Sequence, residues 1–331
     1  MVKFFVCSAL IGVIFPLNAF ADEIVVYTSR KSHLINPVFE KFTKETGIKV
    51  SSTTDKAAAL ISKLKAEGKR TKADVLVTVD AGNLWQASQE GVLSQVSSKT
   101  LDSKIPSHLR DPQGHWFGFS MRARTIIYNK DKVDPSKLKD YKDLASPKWK
   151  GKLCLRTSKK VYNQSLVAML IEQFGRGETK KIVDGWVSNL SAGVFSNDTS
   201  LIKAMANGQC EVGVVNSYYL GRLLKENPKL NIGLFWPKAD TGGVHVNVSG
   251  AGVTKHAKNR ASAIKFLEWL SSDAAQKIFA ELNIEFPVVK NVPLHPICKN
   301  WGPFAPSTMP LVQAGVLQSQ AIMLMDVAGY M

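Results

Sequence analysis

The sequence predicts an α/β protein built on an open sheet, and the pattern near its beginning indicates this class. Residues Glu23 to Tyr27 form an apolar run typical of a strand buried on both faces. A helical pattern follows from about Leu34 to Thr46, with Phe39 and Phe42 on its inner face. Strands and helices then alternate: strands Ile48 to Ser52 and Asp74 to Val79, and helices 56–68 and Gly82 to Glu90. Because ligands of such sheets bind at the carboxyl ends of strands, we expect the polar loop Thr28–His33 at the mouth of a cleft.

One predicted strand, Trp116 to Asn129, is longer than a single small sheet requires. We interpret it as a strand that crosses between two lobes, and Val246 to Val253 as a second such strand. Side chains alternate along a strand, so Arg122 and Arg124 should lie on one face of the first crossing. The expected architecture is two α/β lobes joined by two crossover strands.

The rest of the chain continues the alternation without an internal repeat, which excludes a solenoid. The further elements expected are helices around Lys139 to Ala145, Ser165 to Phe174, Thr179 to Leu190, Ser200 to Asn207, Arg260 to Leu270, Asp273 to Leu282 and Leu311 to Val327, and strands Lys152 to Leu155 and Ile232 to Phe235.

The stretch Asn216 to Leu224 carries the strongest candidate site. A predicted buried strand runs directly into it, and Asn216 or Ser217 can cap the helix that follows. Tyr218 and Tyr219 would then occupy the first turn. Neighbouring side chains there lie about 100° apart, so two phenols can converge on one point, and the positive helix end favours anionic oxygens. Such a pair suits a hard cation. The alternative is that one tyrosine packs in the core while the other faces solvent.

Charge narrows the class of ligand. The chain has 331 residues, enough for two domains, and a formal net charge of +16 at pH 7. Its basic residues are dispersed and form no stripe interleaved with aromatics, which argues against nucleic-acid binding. The charge favours attraction to anionic ligands or to a negatively charged cell surface.

Residues 1–21 are predicted to be an export signal. Lys3 provides a basic start, Phe4 to Leu17 is almost wholly apolar, and Ala19 to Ala21 supplies small residues for cleavage before Asp22. The apolar run is too short for a membrane span, so we expect a soluble protein of the bacterial periplasm.

The periplasm is oxidising, and three cysteines follow the predicted signal. Cys154 and Cys210 both lie at the edge of a predicted strand in the same middle region, so we predict a disulfide between them. Cys298 is then free or buried.

Several motifs along the chain resemble those of one protein family. They are Val25–Lys31, Ser120–Arg124 with Tyr128 and Asn129, Leu155–Ser158 with Tyr162, Gln209–Val212 leading into Asn216–Tyr219, and Asn283–Val288. With them, essentially the whole chain after the signal resembles the substrate-binding proteins of bacterial ferric-iron ABC importers. The resemblance implies a type II periplasmic binding fold, with an N-terminal lobe of residues 22–120 plus 250–331 and a C-terminal lobe of residues 121–249.

By this resemblance, Tyr162, Tyr218 and Tyr219 match the family's three phenolate ligands of Fe³⁺. Fe³⁺ is a hard cation that prefers anionic oxygen, and three phenolates neutralise its charge. Because protons compete for these ligands, binding must weaken as the pH falls.

The first loop departs from the part of the family that adds a His and a Tyr directly after its arginine. Here Lys31 and Ser32 follow Arg30. His33 is displaced by two positions from the place of the family's histidine, and it is the candidate for an extra ligand. The chain is similar instead to the three-tyrosine branch, in which carbonate or another small anion completes the coordination. The residues expected to bind that anion or to lie behind the ligands are Arg30, Lys31, Ser32, Arg122 and Arg124, and the family's cleft arginine matches either of the last two.

The implied function is to bind ferric iron in the periplasm, as a monomer, and deliver it to an inner-membrane ABC permease. The sequence contains no nucleophile elbow, phosphate-binding glycine loop or HExxH motif, so we predict no enzymatic activity. The alternative function is a periplasmic receptor for a small anionic solute of the phosphonate, phosphate ester or thiamine type. Such a receptor has no need of three phenols on one lobe.

Overall fold

A computed structural model describes residues 22–331, so the predicted export signal lies outside the described residues. The described part contains nine strands: β1 (Glu23–Thr28), β2 (Lys49–Thr54), β3 (Val75–Val79), β4 (Phe117–Asn129), β5 (Leu153–Cys154), β6 (Val212–Asn216), β7 (Ile232–Phe235), β8 (His245–Val253) and β9 (Phe286–Pro287). They run in the order β2-β1-β3-β8-β4-β6-β5, with β7 and β9 also paired to β4. The predicted α/β class is confirmed.

The helices of residues 22–331 cover both faces of the strands. They are α1 (Ser32–Thr46), α2 (Ala57–Glu67), α3 (Ala81–Gln89), α4 (Lys99–Lys104), α5 (Val161–Ser188), α6 (Asp198–Ala206), α7 (Ser217–Glu226), α8 (Arg260–Leu270), α9 (Asp273–Asn283), α10 (Pro296–Asn300), α11 (Gln313–Val316) and α12 (Gln318–Val327). Within this range no helix has the length and hydropathy that a membrane span needs.

The first lobe forms around a parallel group of strands. β1 pairs in parallel with both β2 and β3, and Ile24 and Val26 on β1 are fully buried. The inner face of α1 packs against α8, where the rings of Phe42 and Phe266 meet edge to face at 4.9 Å. These contacts are what a strand covered on both sides by helices requires.

Two long antiparallel strands connect this lobe to the second one. Phe117 of β4 lies opposite Ala251 of β8, and the pairing continues to Arg124 opposite His245. β3 pairs with β8 at one end, whereas β6 and β7 pair with β4 at the other. A Cβ atom on Gly250 would collide with the carbonyl oxygen of Phe117, so glycine here permits the close approach of the two strands. The two predicted crossover strands are confirmed.

The residue bounds of the two lobes stay a prediction. The packing of α12, near residue 331, indicates which lobe the last helix belongs to. α12 lies against α5, and its Leu324 and Met325 share a hydrophobic core with Leu166 and Val214 of the second lobe. This last helix therefore packs with the segment 121–249 rather than with β1–β3.

The cysteines fall into two groups. Cys154 and Cys210 are joined by a disulfide between β5 and the segment that precedes β6. Cys298 is a free thiol that is fully buried, and this burial raises its pKa to about 12.

The structure differs from the sequence prediction in the first loop, in α5 and in residues 139–145, and the predicted helix Leu311–Val327 is divided into α11 and α12. α1 begins at Ser32 rather than near Leu34, so the first loop is shorter. α5 joins two predicted helices across a break at Gly175, whose φ of 75° and ψ of 165° are not helical. The predicted helix around Lys139 to Ala145 is instead a set of short turns. The Asp140 carboxylate accepts a hydrogen bond from the backbone N–H of Asp143 there, an alternative to helical bonding.

Candidate metal centre

The two adjacent tyrosines lie where β6 passes into α7. Asn216 is the N-cap residue, and Tyr218 and Tyr219 occupy the first turn of the helix, as predicted. Their ring centroids are 4.4 Å apart. Asn216 does not cap the helix through its side chain. Its amide donates instead to the Tyr218 hydroxyl at 3.1 Å. The cap position thus helps to orient one phenol.

The third tyrosine reaches the same place from a different segment. Tyr162 is the second residue of α5 and is 8% exposed. With Tyr218 and Tyr219 it lines one cavity of about 420 Å³. The structure therefore brings the three predicted phenols to one cavity, while Tyr218 also packs in a hydrophobic core, as the alternative for one tyrosine of the pair expected. Tyr218 is buried and Tyr219 half-buried, yet both open into the cavity.

Four cationic side chains surround these rings. The guanidinium carbon of Arg122 is 5.3 Å and that of Arg156 5.5 Å from the centroid of the Tyr162 ring, and Lys160 Nζ is 5.1 Å from it. The guanidinium carbon of Arg222 is 4.9 Å from the Tyr218 centroid and 5.9 Å from the Tyr219 centroid. At these distances a cation is attracted to the face of an aromatic ring, so positive charge is concentrated beside the three tyrosines.

Burial and charge act on the phenols in opposite directions. Burial raises the pKa of Tyr162 above its usual value of 10, and Arg122 opposes that rise. Burial raises the pKa of Tyr218 further, with an added contribution from the two neighbouring phenols, while Arg122 again lowers it. Burial and the positive charge of Arg156 lower the pKa of Lys160. Without another cation, Tyr162 and Tyr218 are therefore protonated at neutral pH.

The predicted first-loop residues take different positions. Lys31 lines the cavity and is exposed. Arg30 also lines it, but its guanidinium group makes a two-point ion pair with Glu285, at 3.2 Å for each hydrogen bond. Both partners of this pair are about 97% buried. Ser32 and His33 begin α1, are exposed, and are not among the cavity residues.

The two arginines of β4 also separate. Arg122 lines the cavity and donates to the carbonyl oxygen of Val248 at 2.7 Å. Arg124 lies opposite Asn216 of β6 and is covered by the second lobe, so it does not reach the cavity. Its guanidinium group binds Asp198 at 3.0 Å and Asn216 at 3.2 Å. Arg124 therefore lies behind Tyr218, to which Asn216 connects it.

No role was assigned from the sequence to four charged residues of the cavity: Arg156, Lys160, Arg222 and Glu285. Two signals were available. Arg156 and Glu285 lie inside the motifs that carry the family resemblance. Arg222 follows Tyr218 by four positions, a spacing that puts two side chains on one helical face.

The donor set limits which metals the cavity suits. Within residues 22–331 there is no group of three or more His, Cys, Asp or Glu side chains that could hold a metal ion. The three tyrosine hydroxyls become anionic oxygen donors when they lose their protons, and six cationic side chains and one carboxylate line the cavity beside them. Such a site favours a hard, highly charged cation together with an anion.

Comparison with known proteins places the chain among binding proteins. Residues 38–306 match the model of the bacterial extracellular solute-binding protein family. Iron uptake protein A1 of Synechocystis is 43% identical over 93% of this chain and 88% of its own length. The Fe(3+)-binding periplasmic protein of Serratia marcescens is 29% identical over 94% of this chain and 92% of its own. A structure of Trichodesmium IdiA (FutA) in complex with iron and citrate is 46% identical and superposes with a TM-score of 0.89, covering 93% of this chain and all of that one.

Proposed function

We propose a function for this chain, which belongs to the bacterial extracellular solute-binding proteins. It binds ferric iron in the periplasm for uptake by an inner-membrane ABC permease. The cargo would be held by the phenolates of Tyr162, Tyr218 and Tyr219. The observation that carries this proposal is the convergence of three phenols, from two separate segments, on one cation-rich cavity. Relatives named for iron uptake and Fe³⁺ binding support it.

The protonation state of the phenols explains how the cavity can select a trivalent ion. Tyrosine is protonated at neutral pH, and burial raises the pKa of Tyr162 and Tyr218 further, so both keep their protons in the apoprotein. A cation must therefore displace these protons to bind, and a higher charge does so more effectively. Proton release accompanies binding, so affinity for Fe³⁺ falls as the pH falls.

The remaining charge calls for an anion. Three phenolates neutralise Fe³⁺, but Arg122 and three further cationic side chains of the cavity form no salt bridge among the described residues, and their charge stays unbalanced: Lys31, Lys160 and Arg222. Arg122 and Arg156 each keep a buried Nε atom that has no hydrogen-bond partner among the described residues. These two groups and Lys31 can hold carbonate or another small anion beside the metal by charge-assisted hydrogen bonds. The cavity of about 420 Å³ also has room for a larger carboxylate, such as the citrate in the Trichodesmium structure.

In the proposed site Arg30 lies behind the ligands and does not hold the anion, because its charge is already neutralised by Glu285. Ser32 and His33 lie outside the cavity, so the proposed coordination uses neither of them. The predicted signal, residues 1–21, would direct the chain to the periplasm and then be removed. The chain would then act as a carrier without catalysis and as a monomer.

Visible absorption tests the proposal. Ferric phenolates absorb visible light by charge transfer, so adding Fe³⁺ as its nitrilotriacetate complex to apoprotein should give an orange-red solution. Tyr219→Phe should weaken the band strongly, since it removes one phenolate from a half-buried position. Tyr128→Phe is the matched control, because Tyr128 lies on β4 away from the cavity residues.

Two results would contradict iron binding by phenolates. One is a wild-type protein that stays colourless with Fe³⁺. The other is a Tyr219→Phe variant whose band equals that of Tyr128→Phe. If the colourless protein instead bound a phosphonate or phosphate ester by calorimetry, the anion-receptor alternative would replace this one.

A further inference from the structure

Three of the cavity side chains come from one short segment, residues 156–162. It follows β5, ends at the second residue of α5 and carries Arg156, Lys160 and Tyr162. On one side its backbone is held by a hydrogen bond from the Thr157 N–H to the carbonyl oxygen of Phe195 at 2.8 Å. A connecting segment with so few ladder bonds needs other contacts to keep its side chains in one position.

Tyr330 supplies such contacts from beyond α12. Its hydroxyl donates to the carbonyl oxygen of Arg156 at 2.6 Å and accepts from the Asn163 side-chain amide at 2.8 Å. The neighbouring carbonyl oxygen of Met331 accepts the Ser158 N–H at 3.1 Å. Tyr330 is 2% exposed, and its ring packs in the core of the second lobe. The hydroxyl is therefore fixed in place by the core and holds the segment at the carbonyl oxygen of Arg156, the residue before the one that Phe195 bonds.

The same contacts continue to the second ligand segment. The Asn163 side-chain oxygen accepts from Arg124 Nε at 2.9 Å. Arg124 also donates to the Asn216 side-chain oxygen at 3.2 Å, and Asn216 donates to the Tyr218 hydroxyl at 3.1 Å. This chain of buried hydrogen bonds connects Tyr330 to both segments that carry phenols.

We propose that Tyr330 is a positioning residue for the iron site, an inference that rests on the proposed function. Three phenolates must meet at one point to coordinate a metal, and a buried partner that fixes their segments reduces the cost of assembling them. Tyr330 does not line the cavity, so it acts only through Arg156 and Asn163. Loss of its hydroxyl should loosen residues 156–163 and weaken Fe³⁺ coordination while the ring still fills the core.

Hydrogen exchange and metal binding together test this role. Tyr330→Phe should speed amide exchange in residues 156–163 of the apoprotein. It should also shift the ferric charge-transfer band and lower Fe³⁺ affinity about tenfold, the equivalent of one hydrogen bond of about 1.4 kcal/mol. Tyr27→Phe is the matched control: its hydroxyl is also hydrogen-bonded, to Glu67, but it lies on β1 in the other lobe. It should change neither the exchange of residues 156–163 nor the band.

Each outcome decides the inference. Unchanged exchange in Tyr330→Phe would overturn it, whatever happens to iron. Faster exchange with the wild-type band and affinity would mean that Tyr330 is structural only, and would also overturn it. A colourless wild-type protein would count against the proposed function, while the exchange comparison would still show whether Tyr330 holds the segment. If Tyr330→Phe does not fold, Tyr330→Leu, which also keeps an apolar side chain in the core but has no hydroxyl, allows the same comparison.

Discussion

The pH dependence of stability should change when His245 is replaced by glutamine. His245 begins β8 and is 1% exposed, and it lies opposite Arg124 in the β4–β8 pair. Burial, with the positive charges of Arg124 and Arg122, lowers the pKa of the imidazole from 6.5 to about 3. The folded protein therefore keeps His245 neutral where an unfolded chain would protonate it.

The sign and size of the effect follow from proton linkage. Below pH 6.5 the unfolded chain gains a proton at His245 that the folded protein does not, so the free energy of unfolding falls as the pH falls. Each pH unit below the unfolded pKa costs about 1.4 kcal/mol, so His245 should cost about 2 kcal/mol between pH 7 and pH 5. This contribution stops growing near pH 3, where the folded imidazole is protonated as well.

Urea unfolding of the apoprotein, followed by circular dichroism at pH 7 and pH 5, measures this difference. Between these pH values the wild type should lose about 2 kcal/mol more than His245→Gln, whatever the variant's stability at pH 7. His33→Gln, at an exposed position on α1, is the control and should follow the wild type. Equal losses in the wild type and His245→Gln would refute the reasoning.

Three further outcomes are expected. Asp198 is fully buried and pairs with Arg124 and Arg156. Asp198→Asn should lower the free energy of unfolding by about 3–5 kcal/mol, because two buried guanidinium groups lose their counter-charge. If urea unfolding showed no loss outside its error, this expectation would be contradicted. Replacing Cys154 and Cys210 by serine removes a crosslink between residues 56 apart. By loop entropy this should lower the free energy of unfolding by about 4 kcal/mol. Under oxidising conditions the double variant should therefore melt at a lower temperature than the control, Cys298→Ser. Removing iron with a chelator should lower the melting temperature, because a ligand at a hundred times its Kd stabilises the folded state by about 3 kcal/mol; a melting temperature independent of Fe³⁺ would argue against binding to the native state.

Local sequence patterns predicted the elements that carry the site. The predicted helix Arg260–Leu270 has the same bounds in the structure, and β6 passes into α7 where the tyrosine pair was expected. Both predictions depend on hydrophobic period and on helix caps, which act over a few residues. The prediction of a helix around Lys139 to Ala145 was wrong. The Asp140 carboxylate accepts the hydrogen bond of a backbone N–H there, in place of a helical carbonyl oxygen.

The cavity shows where local patterns stop being informative. A period of two puts Arg122 and Arg124 on one face of a strand, but it does not say which neighbour covers that face. Asp198 of α6 and Asn216 of β6 bind the guanidinium group of Arg124, whereas Arg122 lies beside the Tyr162 ring. Likewise, Arg30 looked available for an anion in the sequence, and it is Glu285, 255 residues later, that occupies its guanidinium group.

By itself, the sequence determined the α/β class, the two long crossover strands and the position of Tyr218 and Tyr219 at the start of a helix. These properties depend on backbone preference and on the burial of neighbours in the chain, so they can be read over a few residues at a time. Only the tertiary structure decided that Tyr162 meets that pair, that Arg122 rather than Arg124 accompanies it, and that distant side chains hold both segments in place. Such contacts depend on how strands and helices pack across the whole chain, and no local pattern contains that information.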